Sequence, residues 1–199
     1  MALLSKFDYE ETEAGIDEAG RGSLAGPVVA AAVIFAEDYE NSLINDSKAL
    51  SHEKREQLKE VIVKHALAYG IGVVDNNEID EKNILNATYK AMHIAVKQLR
   101  VKPTLLLVDG NRFEPYDDIP HKCFVKGDSR FLSIAAASVL AKTYRDNLMI
   151  EMHEQYPDYF WDSNKGYGTA QHREMIRENG LSPFHRKSFS VNPQLKMRF

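Results

Sequence analysis

Gly15-Ile16-Asp17-Glu18-Ala19-Gly20-Arg21-Gly22-Ser23-Leu24-Ala25-Gly26-Pro27 runs directly into Val28-Val29-Ala30-Ala31-Ala32-Val33-Ile34-Phe35. The first half sets two adjacent carboxylates at the end of a short apolar approach, followed by a glycine-rich turn holding one arginine. The second half is an uncharged run of β-branched and small side chains. This order predicts strand, tight turn, strand. Asp and Glu disfavour strands, so an Asp-Glu pair at a strand end is either a solvated turn or a functional group. Gly20 and Gly22 lack Cβ atoms and let backbone N–H groups come close to a ligand. Two nucleotide-loop readings fail. Gly26 falls one residue late for G-x-G-x-x-G, and Pro27 with a strand pattern follows instead of a helix. A P-loop needs G-x-x-x-x-G-K-[ST], which this stretch lacks.

The 199 residues, 44% of them hydrophobic, suit one compact domain with a substantial core. Nothing at the start resembles a signal peptide, because Ala2-Leu3-Leu4 is too short for an apolar segment and acids follow at once. The longest uncharged run is interrupted by Gly26-Pro27 and is too short to span a bilayer, so no membrane partner is expected. A single cysteine, Cys123, excludes a disulfide framework and a Cys-based zinc site, and a reducing, cytoplasmic setting is expected. The net charge of −4 argues against binding nucleic acid by charge alone. Its distribution says more: residues 165–199 carry +5, leaving −9 for residues 1–164. An acidic body with a basic tail suits a protein that holds cations in one place and phosphates in another, or one with a solvated C-terminus.

Further along, Asn45-Asp46-Ser47-Lys48-Ala49-Leu50-Ser51 is a turn cluster in which Ser47 or Ser51 can cap a helix. Over residues 52–65, Leu58, Val61 and Ile62 recur at helical spacing among charges, as on an amphipathic surface helix. Residues 66–75 return to a strand pattern. Residues 83–100 predict a long helix with Ile84, Ala87, Ala91, Ile94, Ala95 and Leu99 on one face. Thr104-Leu105-Leu106-Leu107-Val108-Asp109-Gly110 is a continuous apolar run closed by an acid. That is the pattern of a buried central strand delivering a carboxylate at its C-terminal end. Cys123-Phe124-Val125 predicts a last short strand. A helix from Ser129 or Ser133 to Gln155 follows, its Ala- and Ser-rich first half able to lie close against a sheet. Residues 170–178 form a further helix, and residues 183–199 read as irregular. Strands early, then strand alternating with helix, predict an α/β fold: a mixed sheet covered by helices, with ligands beyond the strand ends.

Asp17, Glu18, Asp109 and Asp128 thus fall at strand ends or just after one. Carboxylates brought together repel, at about 4 kcal/mol for a pair about 4 Å apart in an effective dielectric near 20. A divalent cation removes that repulsion, and oxygen ligands select Mg²⁺ or Mn²⁺ over zinc. Simpler readings stay open: Asp128 as a helix N-cap, and Asp109 before Gly110 as turn chemistry. Asp17 and Glu18 are strand neighbours and should point to opposite faces. Both reach one metal only if the strand twists at its end or one lends its backbone carbonyl. Other chemistry finds no support. There is no G-x-S-x-G elbow and no short zinc spacing among the seven histidines. Cys123, inside an apolar strand, reads as core rather than nucleophile.

Taken together these residues resemble the type 2 ribonuclease H family, ribonuclease HII. The resemblance is carried by Gly15 to Gly22 with Ala25-Gly26-Pro27-Val28-Val29, Asp46-Ser47-Lys48, Val108-Asp109-Gly110, and Lys126-Gly127-Asp128-Ser129. It continues through Ile134 to Lys142, Arg145-Asp146, Lys165-Gly166-Tyr167-Gly168-Thr169, and Pro183 to Phe189. So many motifs in the right order over residues 15–189 are specific where any one alone is weak. The resemblance implies a ribonuclease H-like fold, with a catalytic core over residues 1–160 and a helical C-terminal extension over residues 161–199. It implies an endonuclease that hydrolyses the RNA strand of RNA–DNA hybrids and cuts 5′ of single ribonucleotides in DNA, leaving 3′-hydroxyl and 5′-phosphate ends. A role in ribonucleotide removal during replication and repair goes with that activity. Asp17, Glu18, Asp109 and Asp128 would hold two Mg²⁺ or Mn²⁺ ions. Gly20, Arg21 and Gly22 would meet the ribose 2′-OH and nearby phosphates, and Tyr167 would stack on the sugar after the ribonucleotide. Lys48, Lys142, Arg145, Lys165 and Arg186 would complete the substrate-binding set. One departure is visible: the family usually has histidine where this chain has Asn164. Residues 194–199 are similar to a sliding-clamp peptide, against the plainer reading of a frayed tail, and a monomer is expected.

Two other functions compete. A carboxylate-dependent DNA nuclease or resolvase of the same fold class has no evident use for the Gly-Arg-Gly turn. A non-catalytic nucleic-acid-binding module would hold four acids together at an electrostatic cost.

Overall fold

The computed structural model describes residues 3–44 and 51–191. Lys48 and the clamp-like residues 194–199 lie outside the described residues. Five strands, β1 (Glu13–Ala19), β2 (Val28–Ile34), β3 (Ala68–Val74), β4 (Leu105–Asp109) and β5 (His121–Phe124), make one mixed sheet in the order β3-β2-β1-β4-β5. The first three run antiparallel, while β4 pairs parallel with β1 and β5 parallel with β4. The uncharged 28–34 run is explained by β2, whose every residue is buried. Its alternate residues feed two separate cores. Val28, Ala30, Ala32 and Ile34 face the core shared with α2 (Asn76–Lys97). Val29, Ala31 and Val33 face the core shared with α1 (His52–His65) and α3 (Leu132–Gln155).

The Ala-rich start of α3 lies directly on β1. A Cβ on Gly15 would come within 2.3 Å of the Ser133 backbone, so only glycine lets the helix approach this closely. Ser51 caps α1, its hydroxyl accepting from the Lys54 amide. The helix α2 departs from expectation at its start. It begins at Asn76, capped by Asp75, and is interrupted at Asn83, where φ is 66° and ψ 163°. The Asn83 side chain accepts from the Leu85 and Asn86 amides and so caps the second segment. Helical periodicity finds that second segment but not the first, in which Ile79 is the lone large apolar residue between Asn76 and Lys82.

Parallel pairing is what positions the site. Strands β1, β4 and β5 run the same way, so their C-terminal ends share one edge of the sheet. Register pairs Ile16 with Val108 and Asp109 with Phe124, which brings Asp17 beside Asp109 one step later. Beyond α3, the short α4 (Trp161–Asn164) and α5 (Ala170–Asn179) gather a smaller apolar cluster around Trp161 and Ile176. That cluster takes Leu24, Ala25 and Met149 from the main body, so the C-terminal segment packs on the turn after β1. Among the described residues no helix is long and apolar enough to cross a membrane.

Candidate active site

A cleft of about 310 Å³ opens past the ends of β1 and β4. Asp17, Glu18, Gly20, Arg21, Gly22, Asp109, Ser138, Lys142 and Tyr167 line it. Asp17 lies on the α3 side, with the Ser138 hydroxyl bonded to its carboxylate. Burial pushes its carboxyl well above the usual range, and the charges of Glu18 and Asp109 push it further. Glu18 faces the other side. It also lines a narrower cleft, of about 50 Å³, with Leu85, Thr88, Tyr89 and Met92 of α2. The pair therefore does split across the strand, as the pleat requires. Both still line the larger cleft because it opens beyond the strand end. Glu18 Oε1 meets Arg21 Nη1 at 3.2 Å, and Asp17 Oδ1 accepts from the Glu18 amide at 2.7 Å.

Asp109 Oδ1 accepts from the Gly127 amide at 2.7 Å, tying the end of β4 to the turn that carries Asp128. Asp128 is buried in a short 3₁₀ turn, Gly127–Ser129, entered through Lys126 in a left-handed conformation at φ 58°. It does not cap α3, since Phe131 holds that position. Three of the four expected acids thus share one opening, and Asp128 adjoins it through Gly127. Among the described residues no three His, Cys, Asp or Glu side chains already form a metal-holding group.

The Gly-Arg-Gly turn and the Tyr167 loop are joined to each other. Gly20 takes φ 94°, a conformation glycine reaches without strain. Ser23 forms a β-bridge with Tyr167, and the Leu24 and Ala25 amides donate to the Gly166 carbonyl at 2.8 and 3.3 Å. Arg186 N donates to Leu24 O, and Gly26 N to Phe184 O. The Tyr167 ring lies 5.5 Å from Lys142 Nζ and 5.3 Å from the Arg145 guanidinium carbon. Lys142 is held by Asp146 at 2.6 Å, which Arg55 also engages at 2.8 Å. Lys165 is half-buried, which lowers its ammonium pKa, and its Nζ donates to the Asp162 carbonyl.

Two expected substrate contacts are placed differently. Arg145 and Arg186 are 0% and 1% exposed, and their guanidinium N–H groups donate to backbone carbonyls of the turn and its neighbours. The structure sets them under the turn and not on its surface. Asn164, where the family usually has histidine, is buried and holds the same region. Its Nδ2 donates to Tyr159 O at 2.7 Å and its Oδ1 accepts from Gly166 N at 2.8 Å. Sequence reasoning passed over Ser138, one polar position in an Ala-rich helix face, and the buried histidines His172 and His185. Their thirteen-residue separation matches no metal spacing and carries no motif.

The ribonuclease HII family model matches residues 14–192. Ribonuclease HII of Phocaeicola vulgatus is 55% identical over 200 residues, covering 99% of this chain and 100% of that protein. Ribonuclease HII of Parabacteroides distasonis is 56% identical over 192 residues, covering 96% of each. Among solved structures, the PCNA:RNase HII complex from Archaeoglobus fulgidus contains a chain that superposes with a TM-score of 0.76 at 27% identity, covering 91% of this chain and 96% of that one. Its ribonuclease H-like sheet, its chain order of motifs and these relatives agree: the chain belongs to the ribonuclease HII family, hydrolases of the ribonuclease H type.

Proposed function

We propose that this enzyme hydrolyses the RNA strand of RNA–DNA hybrids and cuts 5′ of single ribonucleotides embedded in duplex DNA, leaving 3′-hydroxyl and 5′-phosphate ends. The observation that carries the reading is the composition of one cleft, in which three acids, the Gly-Arg-Gly turn and the Tyr167 ring meet. An acid cluster alone fits any carboxylate nuclease. A glycine turn and a tyrosine facing it supply a way to read a sugar.

The donor set fits hard divalent cations. Carboxylate oxygens select Mg²⁺ or Mn²⁺, and burial, with the repulsion from Glu18 and Asp109 added to it, raises Asp17 in a way a bound cation would offset. Asp17, Glu18, Asp109 and Asp128 would hold the ions, which when bound supply an activated water and charge stabilisation at the leaving 3′-oxygen. The chain's own groups do the rest. Backbone groups of Gly20 to Gly22 meet the 2′-OH, the one group that separates RNA from DNA at a given position. Tyr167, its ring steadied by Lys142 and Arg145, stacks on the following deoxyribose, whose flat face a 2′-OH would obstruct. Arg21, Lys142 and Lys165 meet phosphates around the cleft. Lys48 and a sliding-clamp contact through residues 194–199, both outside the described residues, belong to the same proposal.

The test offers duplexes containing one, four or no ribonucleotides, with Mg²⁺, Mn²⁺ or EDTA. Cleavage of both ribonucleotide-containing duplexes, metal-dependent and with a 3′-hydroxyl product, is expected. Cutting of the all-DNA duplex at a similar rate contradicts the proposal in favour of a DNA nuclease. Binding without any cutting contradicts it in favour of a binding module.

A further inference from the structure

We propose that Arg145 is a positioning residue for ribonucleotide recognition: it fixes the separation between the Gly20-Arg21-Gly22 turn and the Tyr167 ring. The inference rests on the reading of the cleft given above and names the part that holds its two reading elements in register.

Arg145 projects from the middle of the 24-residue helix α3, the rigid element lying on β1. Its three bonded nitrogens reach two different segments. Nε donates to Pro27 O at 2.9 Å and Nη2 to Ala25 O at 3.1 Å, on the chain leaving the turn. Nη1 donates to Lys165 O at 2.9 Å, two residues before Tyr167. The same guanidinium lies 5.3 Å from the Tyr167 ring centroid. The turn also rests on it directly, since a Cβ on Gly20 would fall 2.0 Å from Arg145 Nε. Burying a cation is expensive where an apolar side chain would fill the space. What a guanidinium adds is a planar fork of donors at fixed angles, which a lysine ammonium cannot reproduce.

Arg186 provides the comparison. It is as deeply buried, and its Nε, Nη1 and Nη2 donate to Gly26, Arg21 and Pro27 carbonyls at 3.0, 3.0 and 3.1 Å. All three partners lie on the turn side, and its guanidinium packs over Phe189 instead of Tyr167. Loss of the fork at Arg186 disturbs the turn; loss at Arg145 disturbs the turn relative to the ring.

The experiment is a double-mutant cycle read by single-turnover cleavage of two duplexes, one with a single ribonucleotide and one a continuous hybrid. The proteins are wild type, Tyr167→Ala, Arg145→Lys, Arg186→Lys and the two double variants with Tyr167→Ala. Arg145→Lys is expected to lose about tenfold or more on the single-ribonucleotide duplex, the size of a charged hydrogen bond's contribution, and less on the hybrid. In the Tyr167→Ala background that selective loss should vanish. Arg186→Lys should cost the same factor whether or not the ring is present. Thermal melts set an assay temperature at which every variant is folded, and Arg145→Gln replaces the lysine variant if that one does not fold. An Arg145 loss that is equal on both substrates, or unchanged by removal of the ring, overturns the inference while leaving the cleft reading intact. If Tyr167→Ala leaves substrate preference unchanged, the reading of the cleft fails and the inference with it.

Discussion

At Asp109 the chain ends the buried strand β4 with an acid that sits beside Asp17, whose carboxyl is raised by burial and further by the charges of Glu18 and Asp109. Asp109→Asn removes one charge from that group while keeping an oxygen for the Gly127 amide. Cleavage should fall to background, and the melting temperature in EDTA should stay level or rise, because repulsion is relieved. A variant that keeps substantial turnover, or that melts well below wild type, contradicts the assignment. Asp17-Glu18 and Asp109 stand out in the sequence for a physical reason, since a carboxylate closing an apolar run has no packing purpose. Asp128 instead follows Lys126-Gly127 and also reads as a helix cap. The roles of Arg145 and Arg186 were not legible. Both enter as substrate contacts through the family resemblance alone, and nothing in the string tells whether a guanidinium fork points out to a ligand or in to backbone carbonyls. Only the burial of both side chains decides it.

Among elements, the segment carrying Tyr167 is held by a buried pair of histidines whose protonation the geometry fixes. His172 Nδ1 lies 3.0 Å from Tyr167 O and must donate, so its Nε2 accepts from Trp161 Nε1 at 3.0 Å. His185 Nε2 lies 3.1 Å from that same nitrogen, and His185 Nδ1 accepts from Ser182 N at 2.9 Å. Both rings are neutral, and an added proton on either breaks a bond in the chain. Burial lowers His172, and burial together with His172 lowers His185 from 6.5 to about 4. The unfolded chain therefore takes up protons below pH 6.5 that the folded chain refuses until about pH 4. Stability should fall as pH drops through that window. His185→Asn, melted alongside wild type, should start lower at neutral pH and fall less steeply on acidification. Parallel curves would show that His185 does not titrate on unfolding. The strands that place the acids were readable from runs and punctuation alone. The first turns of α2 were not, because their helix follows from the Asp75 cap and the Asn83 interruption with almost no apolar periodicity.

Across the whole molecule, the charge asymmetry seen in the sequence narrows to a few side chains. Residues 165–199 carry +5, yet Arg186 is buried, Arg173 donates to Gly168 and Val191 carbonyls, and Arg177 pairs with Glu174. The segment also ties down the Gly-Arg-Gly turn, so deleting it would damage the cleft as well as the charge. Single substitutions separate the two effects. Lys165→Met should flatten the dependence of log affinity on log salt by about 0.7–0.9, one released counterion, whereas Arg177→Met should leave the slope unchanged. Equal slopes for both would remove Lys165 from the phosphate path. The central claim is that one cleft joins acid chemistry to recognition of a ribose hydroxyl. Its most direct test is wild-type cleavage of a single duplex in which only one 2′ substituent is varied, hydroxyl against hydrogen or O-methyl, with Mg²⁺ present. The account predicts cutting immediately 5′ of the position when it bears the hydroxyl and none otherwise; cutting that ignores the substituent, or that falls elsewhere on the duplex, would contradict it.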